Sequence, residues 1–385
     1  MNMNFEFASP RQIVCQKGAC AQLKTYCDSL TIKRPMIVTD PGLVATGIIE
    51  QVLNKLKDDG LTPLLYSDIE ADPPEQLILD VVSYAQANNV DGVIGLGGGS
   101  SMDAAKLVAV LTNSAQSINE IYGVGLVSGA RLPLILIPTT AGTGSEVTPI
   151  SIVTTGETTK AGIVSPQLIP DIAILDAELT LALPAHVTAA TGIDAMVHAI
   201  EAYTSKLKKN PYSDMLARQA LSLMAANLEE SVANGQNIEA REHMLFGAML
   251  AGQAFANAPV AAVHALAYPL GGNYHIPHGL SNSLVLPHVL AFNAPSAWEL
   301  YAELLPCVTN SKVIKSSEQA ADLFISFMID LIDRVNLPSR LSEVGVPRSD
   351  LDMLASEAMQ QQRLLVNNPR EMTVDAALMI YEAAF

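Results

Sequence analysis

Positive charge is scarce in this sequence. Lys and Arg number 22 against 39 Asp and Glu, for a formal net charge of −17, and the basic residues are scattered rather than gathered into a stripe. Such a chain repels a phosphate backbone, so nucleic acid is not an expected partner. Cysteine is scarce too: Cys15, Cys20, Cys27 and Cys307 show no C-x-x-C spacing, which argues against a zinc knuckle or a disulfide scaffold. Long apolar runs are missing, and no stretch approaches the roughly 18 uninterrupted apolar residues of a membrane span. The opening MNMNFEFASPRQ has no basic segment followed by an apolar one. A cytoplasmic protein with no membrane partner is expected. No fixed-period repeat or low-complexity linker stands out.

Apolar side chains are plentiful, at 49% of the composition against 16% charged. The 385 residues exceed the size, about 250–300 residues, at which one core stops growing, so two domains are expected. A homo-oligomer, a dimer or larger, is also expected at this size and apolarity. From about Arg34 to Asp176, the short apolar runs PMIVTD, LTPLLYSD, VDGVIGLGGG, LPLILIPTT and IAILD alternate with helical patterns. That alternation predicts a doubly wound, mostly parallel α/β sheet, a Rossmann-like variant. VTPISIVTTGETTKAGIVS reads as a hairpin added to that sheet. After Leu183-Pro184 the texture turns to Ala, Leu and Met at helical spacing. The prediction is an α/β domain over 1–182 and an all-helical domain over 183–385.

VIGLGGGSSMDAAK places Gly97, Gly98 and Gly99 between the third apolar run and a helix. Bare backbone N–H groups at a helix start can hold a pyrophosphate. Ser100 and Asp103 also have capping-box spacing, so an ordinary capped helix reads equally well. The run departs from G-x-G-x-x-G, so any dinucleotide site is a variant. The next strand ends in PTTAGTGSE, whose Thr139, Thr140, Thr143 and Ser145 offer hydroxyl groups to the same ligand. Asp40, ending IVTD, could accept from an adenosine ribose hydroxyl and repel a 2′-phosphate, favouring NAD over NADP. It could as well cap the next helix.

In TGIDAMVHAIEAY, Asp194 and His198 stand one helical turn apart on one face. Alone the pair reads more readily as a hydrogen-bonded couple than as a metal site. His264 in AAVHALAYPLGG and His278 in YHIPHGLSN sharpen it, because buried imidazoles need partners. Three His and one Asp would close one side of a divalent ion and leave room for a substrate oxygen. The donor set suits Fe(II) or Zn(II) and does not separate them.

AILDAELTLALPAHVTAATGIDAMVHAIE and VHALAYPLGGNYHIPHG, with GGGSSMDAAK, PTTAGTGSE and NNPRE, resemble the iron-containing (group III) alcohol dehydrogenases along essentially the whole chain. Lactaldehyde/1,2-propanediol oxidoreductases and 1,3-propanediol dehydrogenases belong to that family. The resemblance implies an NAD-linked enzyme that moves a hydride between a small alcohol or diol and nicotinamide, with aldehyde as the other partner. It implies that Asp194, His198, His264 and His278 are the metal ligands, and that Asp40, Gly97 to Ser100, Thr139, Thr140, Thr143 and Lys160 line the NAD site. Phe255 matches an aromatic that faces substrate. One position departs: Tyr268 stands where many members carry a second histidine, which leaves the Tyr268 hydroxyl or His275 as candidate proton carriers. The rival reading is a dehydroquinate synthase-like lyase. It would need a cationic cluster near the metal, and Lys206, Lys208, Lys209, Arg218 and Arg241 all lie outside the ligand motifs.

Overall fold

A computed structural model describes residues 4–156, 159–309 and 316–385. The chain divides into two compact units, residues 8–183 and residues 184–385, the latter joined by the amino-terminal residues up to Phe7.

In the first unit the strands are β1 (Gln12–Cys15), β2 (Pro35–Val38), β3 (Leu64–Tyr66), β4 (Gly92–Gly97), β5 (Gly123–Val124), β6 (Leu134–Pro138), β7 (Ile150–Thr155), β8 (Thr159–Val164) and β9 (Ile172–Leu175). The helices are α1 (Leu23–Ser29), α2 (Pro41–Ala45), α3 (Ile48–Asp58), α4 (Glu75–Ala87) and α5 (Gly99–Leu111). Six strands form one sheet in the order β1-β9-β6-β4-β2-β3, with every pairing parallel. Alternation along each strand sends Met36, Val38, Val93 and Leu136 to one core, with Val81 and Val108. It sends Ile37, Ile94, Leu96 and Ile137 to the other, with Leu23 and Leu56. Both faces are therefore covered, as a parallel sheet requires.

The chain runs from β2 out to the edge at β3 and back past β2 to β4, so the winding reverses between β2 and β4. Ligands of open α/β sheets bind beyond the carboxyl ends of strands at such a reversal. Asp40 follows β2, Gly98 to Ser100 follow β4, and Thr139 and Thr140 follow β6.

Two details differ from the sequence expectation. An edge strand, β1, precedes the expected start near Arg34; its four residues are exposed at both ends, so they carry no buried apolar run. The hairpin β7–β8 forms, but not on the main sheet. It builds a second sheet of order β5-β8-β7, because β8 pairs with the two-residue β5. The Gly156-Glu157 turn expected there lies partly outside the described residues.

The second unit is helical: α6 (Ala185–Thr204), α7 (Pro211–Ala233), α8 (Ile238–Asn257), α9 (Ala262–Tyr274), α10 (His278–Val308), α11 (Ser317–Arg334), α12 (Leu351–Ala358), α13 (Gln362–Leu365) and α14 (Val374–Ala384). Among the described residues no single helix is long and apolar enough to cross a membrane. Between α8 and α9 the direction turns by 105°. Asn367 holds that turn: its amide donates to the Val260 carbonyl at 3.1 Å, and its own carbonyl accepts from the Lys206 N–H at 2.8 Å. Asn368 and Asn293 exchange amide hydrogen bonds at 2.7 and 2.9 Å, fastening the same segment to α10.

Helix α10 approaches α6 so closely that a Cβ on Gly279 would lie 2.4 Å from the Ala190 carbonyl oxygen and 3.3 Å from the Asp194 Cβ. The obstacle is backbone, which cannot rotate away. Gly279→Ala is expected to cost about 1–3 kcal/mol, read as a lower urea midpoint at unchanged slope.

Candidate active site

Asp194 and His198 project from successive turns of α6, His264 from the first turn of α9, and His278 opens α10. From Asp194 Oδ1, the Nε2 atoms of His198, His264 and His278 are 4.0, 3.8 and 3.6 Å away. All four donor atoms lie within 4.8 Å of one another. A tetrahedral ion with bonds of about 2.0–2.2 Å needs donors about 3.3–3.6 Å apart, so modest inward shifts would close the set. The first three side chains are at most 5% exposed, whereas His278 is 34% exposed, which leaves the approach on its side. Burial by itself would raise the Asp194 carboxyl, but the three imidazoles and the Asn282 amide outweigh it and hold it below the ordinary carboxylate value.

Two residues outside the expected set meet this cluster. Asn282 donates to Asp194 Oδ1 at 2.6 Å and brings the same nitrogen within 3.3 Å of Nε2 on both His264 and His278. Its own Oδ1 is buried without a partner. Glu201, 3% exposed, lies 2.7 Å from His264 Nδ1. Glu201 was legible in hindsight, three residues after His198 and seven after Asp194 on the same helical face. Asn282, four residues after His278 in HGLSN, has the same one-turn spacing along α10.

Phe255 stacks on the His198 ring, with centroids 4.2 Å apart and planes at 19°. Tyr268 is half-buried, with its ring centroid 6.0 Å from that of His278. His275 closes α9 in the left-handed conformation, with φ at 54°, and is exposed.

The two glycine loops assemble within the first unit. Gly98 is the N-cap of α5, and no side chain caps that helix, so the alternative reading of a Ser100–Asp103 capping box is not met. The first-turn N–H groups are left for a ligand. A Cβ on Gly99 would lie 2.8 Å from Thr143 Cγ2, so the two glycine loops touch. Thr140 Oγ1 is buried without a partner, a hydroxyl still to be satisfied, while Thr139 is buried beside it. Ser100 Oγ accepts from the Asp72 N–H at 3.3 Å, and Lys160 Nζ pairs with Asp72 Oδ1 at 2.7 Å. Asp40 caps α2 through Oδ1, which accepts from Leu43 N at 3.0 Å, while Oδ2 faces the Ser101 hydroxyl at 3.4 Å.

Asp103 and Ser145 turn to each other rather than outward. Ser145 Oγ donates to Asp103 Oδ1 at 2.5 Å, and Ile152 N donates to Oδ2 at 3.0 Å. Fully buried Lys106 completes the knot, reaching Asp103 at 3.2 Å, Thr148 at 3.1 Å and the Ile150 carbonyl at 2.5 Å. Burial pulls its ammonium down, opposed by Asp103 and Glu146. The knot ties helix α5, the PTTAGTGSE loop and β7 together.

Known families and folds match this chain along nearly its whole length. The family model described as iron-containing alcohol dehydrogenase matches residues 10–177. The model for the Fe-containing alcohol dehydrogenase family, C-terminal, matches residues 188–385. Long-chain-alcohol dehydrogenase 1 of Geobacillus thermodenitrificans is 41% identical over 371 residues, 96% of this chain and 93% of that relative. The solved structure of a 1,3-propanediol oxidoreductase superposes with a TM-score of 0.96 at 32% identity, covering 99% of this chain and 100% of the other. Sulfoacetaldehyde reductase from Bifidobacterium kashiwanohense, solved in complex with NAD+, gives 0.89 at 29% identity, covering 100% and 99%.

Glu146 gives a pH signature for the second glycine loop. Burial pushes its carboxyl up to about 7, against a smaller opposing pull from its backbone and Lys106. Its folded pKa thus exceeds the unfolded one, so the wild type loses stability as pH rises from about 4.5 to about 7 and levels off above. Glu146→Gln is expected to flatten that loss, matching wild type near pH 4.5 and exceeding it by on the order of 2 kcal/mol at pH 8, measured by urea unfolding across pH.

Proposed function

This chain belongs to the iron-containing alcohol dehydrogenase family and is an oxidoreductase acting on alcohols and aldehydes; we propose that its substrates are small primary alcohols or diols, that it prefers NAD to NADP, and that Asp194, His198, His264 and His278 hold one divalent ion, Fe(II) or Zn(II). The observation that carries this reading is the convergence of the four donor atoms within 4.8 Å. The nitrogens and oxygen so gathered match a site for a borderline cation, and the partnerless Asn282 Oδ1 marks a cluster whose polar atoms are not all answered by protein.

When bound, the divalent ion supplies Lewis acidity toward an alcohol oxygen, which a hydroxyl hydrogen bond worth about 1 kcal/mol net could not replace. Phe255, 7% exposed against His198, walls the donors with an apolar ring and keeps water from that flank. That wall suits a short carbon chain. The open first turn of α5 would hold the pyrophosphate, with a hydrogen bond from Thr140 Oγ1, and Lys160, already paired with Asp72, would line that site. Asp40 Oδ2, held only by the 3.4 Å bond from Ser101, would accept from a ribose hydroxyl and repel a 2′-phosphate. Asp103 and Ser145 shape the loop through their mutual bond. Tyr268, beside His278, is the better proton carrier than exposed His275.

The lyase alternative fares poorly on charge. Arg241 spends its guanidinium on Thr188 Oγ1 at 2.7 Å and the Gly235 carbonyl at 3.0 Å, and Lys209 is paired with Asp214 at 2.7 Å.

His264→Ala is expected to abolish alcohol-dependent NADH formation and remove bound metal, while the NADH dissociation constant moves by less than about threefold; retained turnover would sink the assignment. Tyr268→Phe should erase the basic limb of the pH–rate profile, and an unchanged profile removes Tyr268 from proton transfer.

A further inference from the structure

We infer that Glu201 is a positioning residue of the metal centre, acting through His264. This deepens the reading that the four donors hold a divalent ion, and rests on it. Glu201 shares the α6 face that carries Asp194 and His198, and both its oxygens are committed to α9. Oε1 accepts from the Val263 backbone N–H at 2.7 Å, and Oε2 meets His264 Nδ1 at 2.7 Å. Side-chain exposures of 3% for His264 and 5% for Glu201 leave no room for water to compete.

An ionised carboxylate only accepts, so the hydrogen-bond network assigns the imidazole hydrogen to Nδ1. Nε2 then presents its lone pair, 3.8 Å from Asp194 Oδ1. A ring turned over would lose the bond to Glu201 and point carbon at the other donors. Because the second oxygen is anchored to the backbone one residue before His264, the carboxylate cannot follow such a turn. Two contacts from one side chain thus fix both the tautomer and the direction of a ligand contributed by a different helix, the arrangement that tunes metal-binding histidines generally.

A purely architectural role makes a different prediction. The N-cap of α9, Ala261, offers no side-chain acceptor, so Glu201 also satisfies that helix's first turn through Val263. An architectural residue would affect folding alike whether or not position 264 is histidine. The two roles separate in a double-mutant cycle on metal affinity.

The test is Zn(II) titration of the full-length, metal-stripped chain against a chromophoric chelator, for wild type, E201D, H264A and E201D/H264A. E201D keeps the negative charge but falls short of the two-point hold. The expected result is a loss of Zn(II) affinity of about 10-fold or more for E201D, and less than about threefold further loss when E201D is added to H264A. With Co(II) as probe, the E201D visible bands should shift from wild type. Wild-type affinity in E201D, or an equal loss in both backgrounds, overturns the inference while leaving the four-ligand centre standing. Failure of the wild-type chain to bind Zn(II) overturns the centre itself and this inference with it. Should E201D not fold, E201Q enters the same cycle, where a loss confined to the His264 background supports the positioning role and an equal loss refutes it.

Discussion

A carboxylate withdrawn to 1% exposure is costly unless charge or hydrogen bonds answer it, and in the helical unit Asp194 is that group. The answer comes from three helices at once. His198 is one turn along α6, His264 and Asn282 arrive from α9 and α10, and His278 starts α10. Each arrival depends on a local device. Gly279 lets α10 pass against the α6 backbone, the Asn367 amide holds the segment before α9, and Glu201 ties α9 to α6. The tyrosine hydroxyl of Tyr381, donated to the Leu266 carbonyl at 2.6 Å, fastens α14 to α9 from the other end of the sequence. The unit is thus organised around the demand of one buried charge.

The α/β unit answers a different demand. In the proposed reading a nucleotide's phosphates would need backbone N–H groups without competing side chains, and the winding reversal between β2 and β4 leaves the uncapped start of α5 at that place. The loops around it are stiffened from below by the Lys106 knot, whose ammonium is buried completely and bonded to two side chains and a carbonyl. Buried charge is tolerated there because it is paired and hydrogen-bonded.

Much of this was legible in the residues, for identifiable reasons. Strands β2, β4, β6 and β9 are buried on both faces and so read as continuous apolar runs. The α6 spacing of Asp194 and His198 is a helical turn, visible without coordinates. The misses lie where a residue's role is set by a distant partner. QIVC pairs with Ile172–Leu175, some 160 residues on, and has too little buried surface to announce itself. The hairpin left the main sheet because β5, two residues long, captured β8. Ser100 and Asp103 had the spacing of a capping box, but Asp103 was claimed by Ser145, Ile152 and Lys106, which sequence proximity cannot foretell. Glu201 shares the helical face of Asp194 and His198, but its contact with His264, 63 residues on, is not visible in that spacing.

The central claim is that one divalent ion is held by three imidazoles and one carboxylate from α6, α9 and α10. X-ray absorption at the metal edge of the Zn(II)-loaded chain tests it most directly. The account predicts a shell with three nitrogens and one carboxylate oxygen at about 2.0–2.2 Å, showing imidazole outer-shell scattering. A shell of oxygens alone, or one containing sulfur, would contradict it.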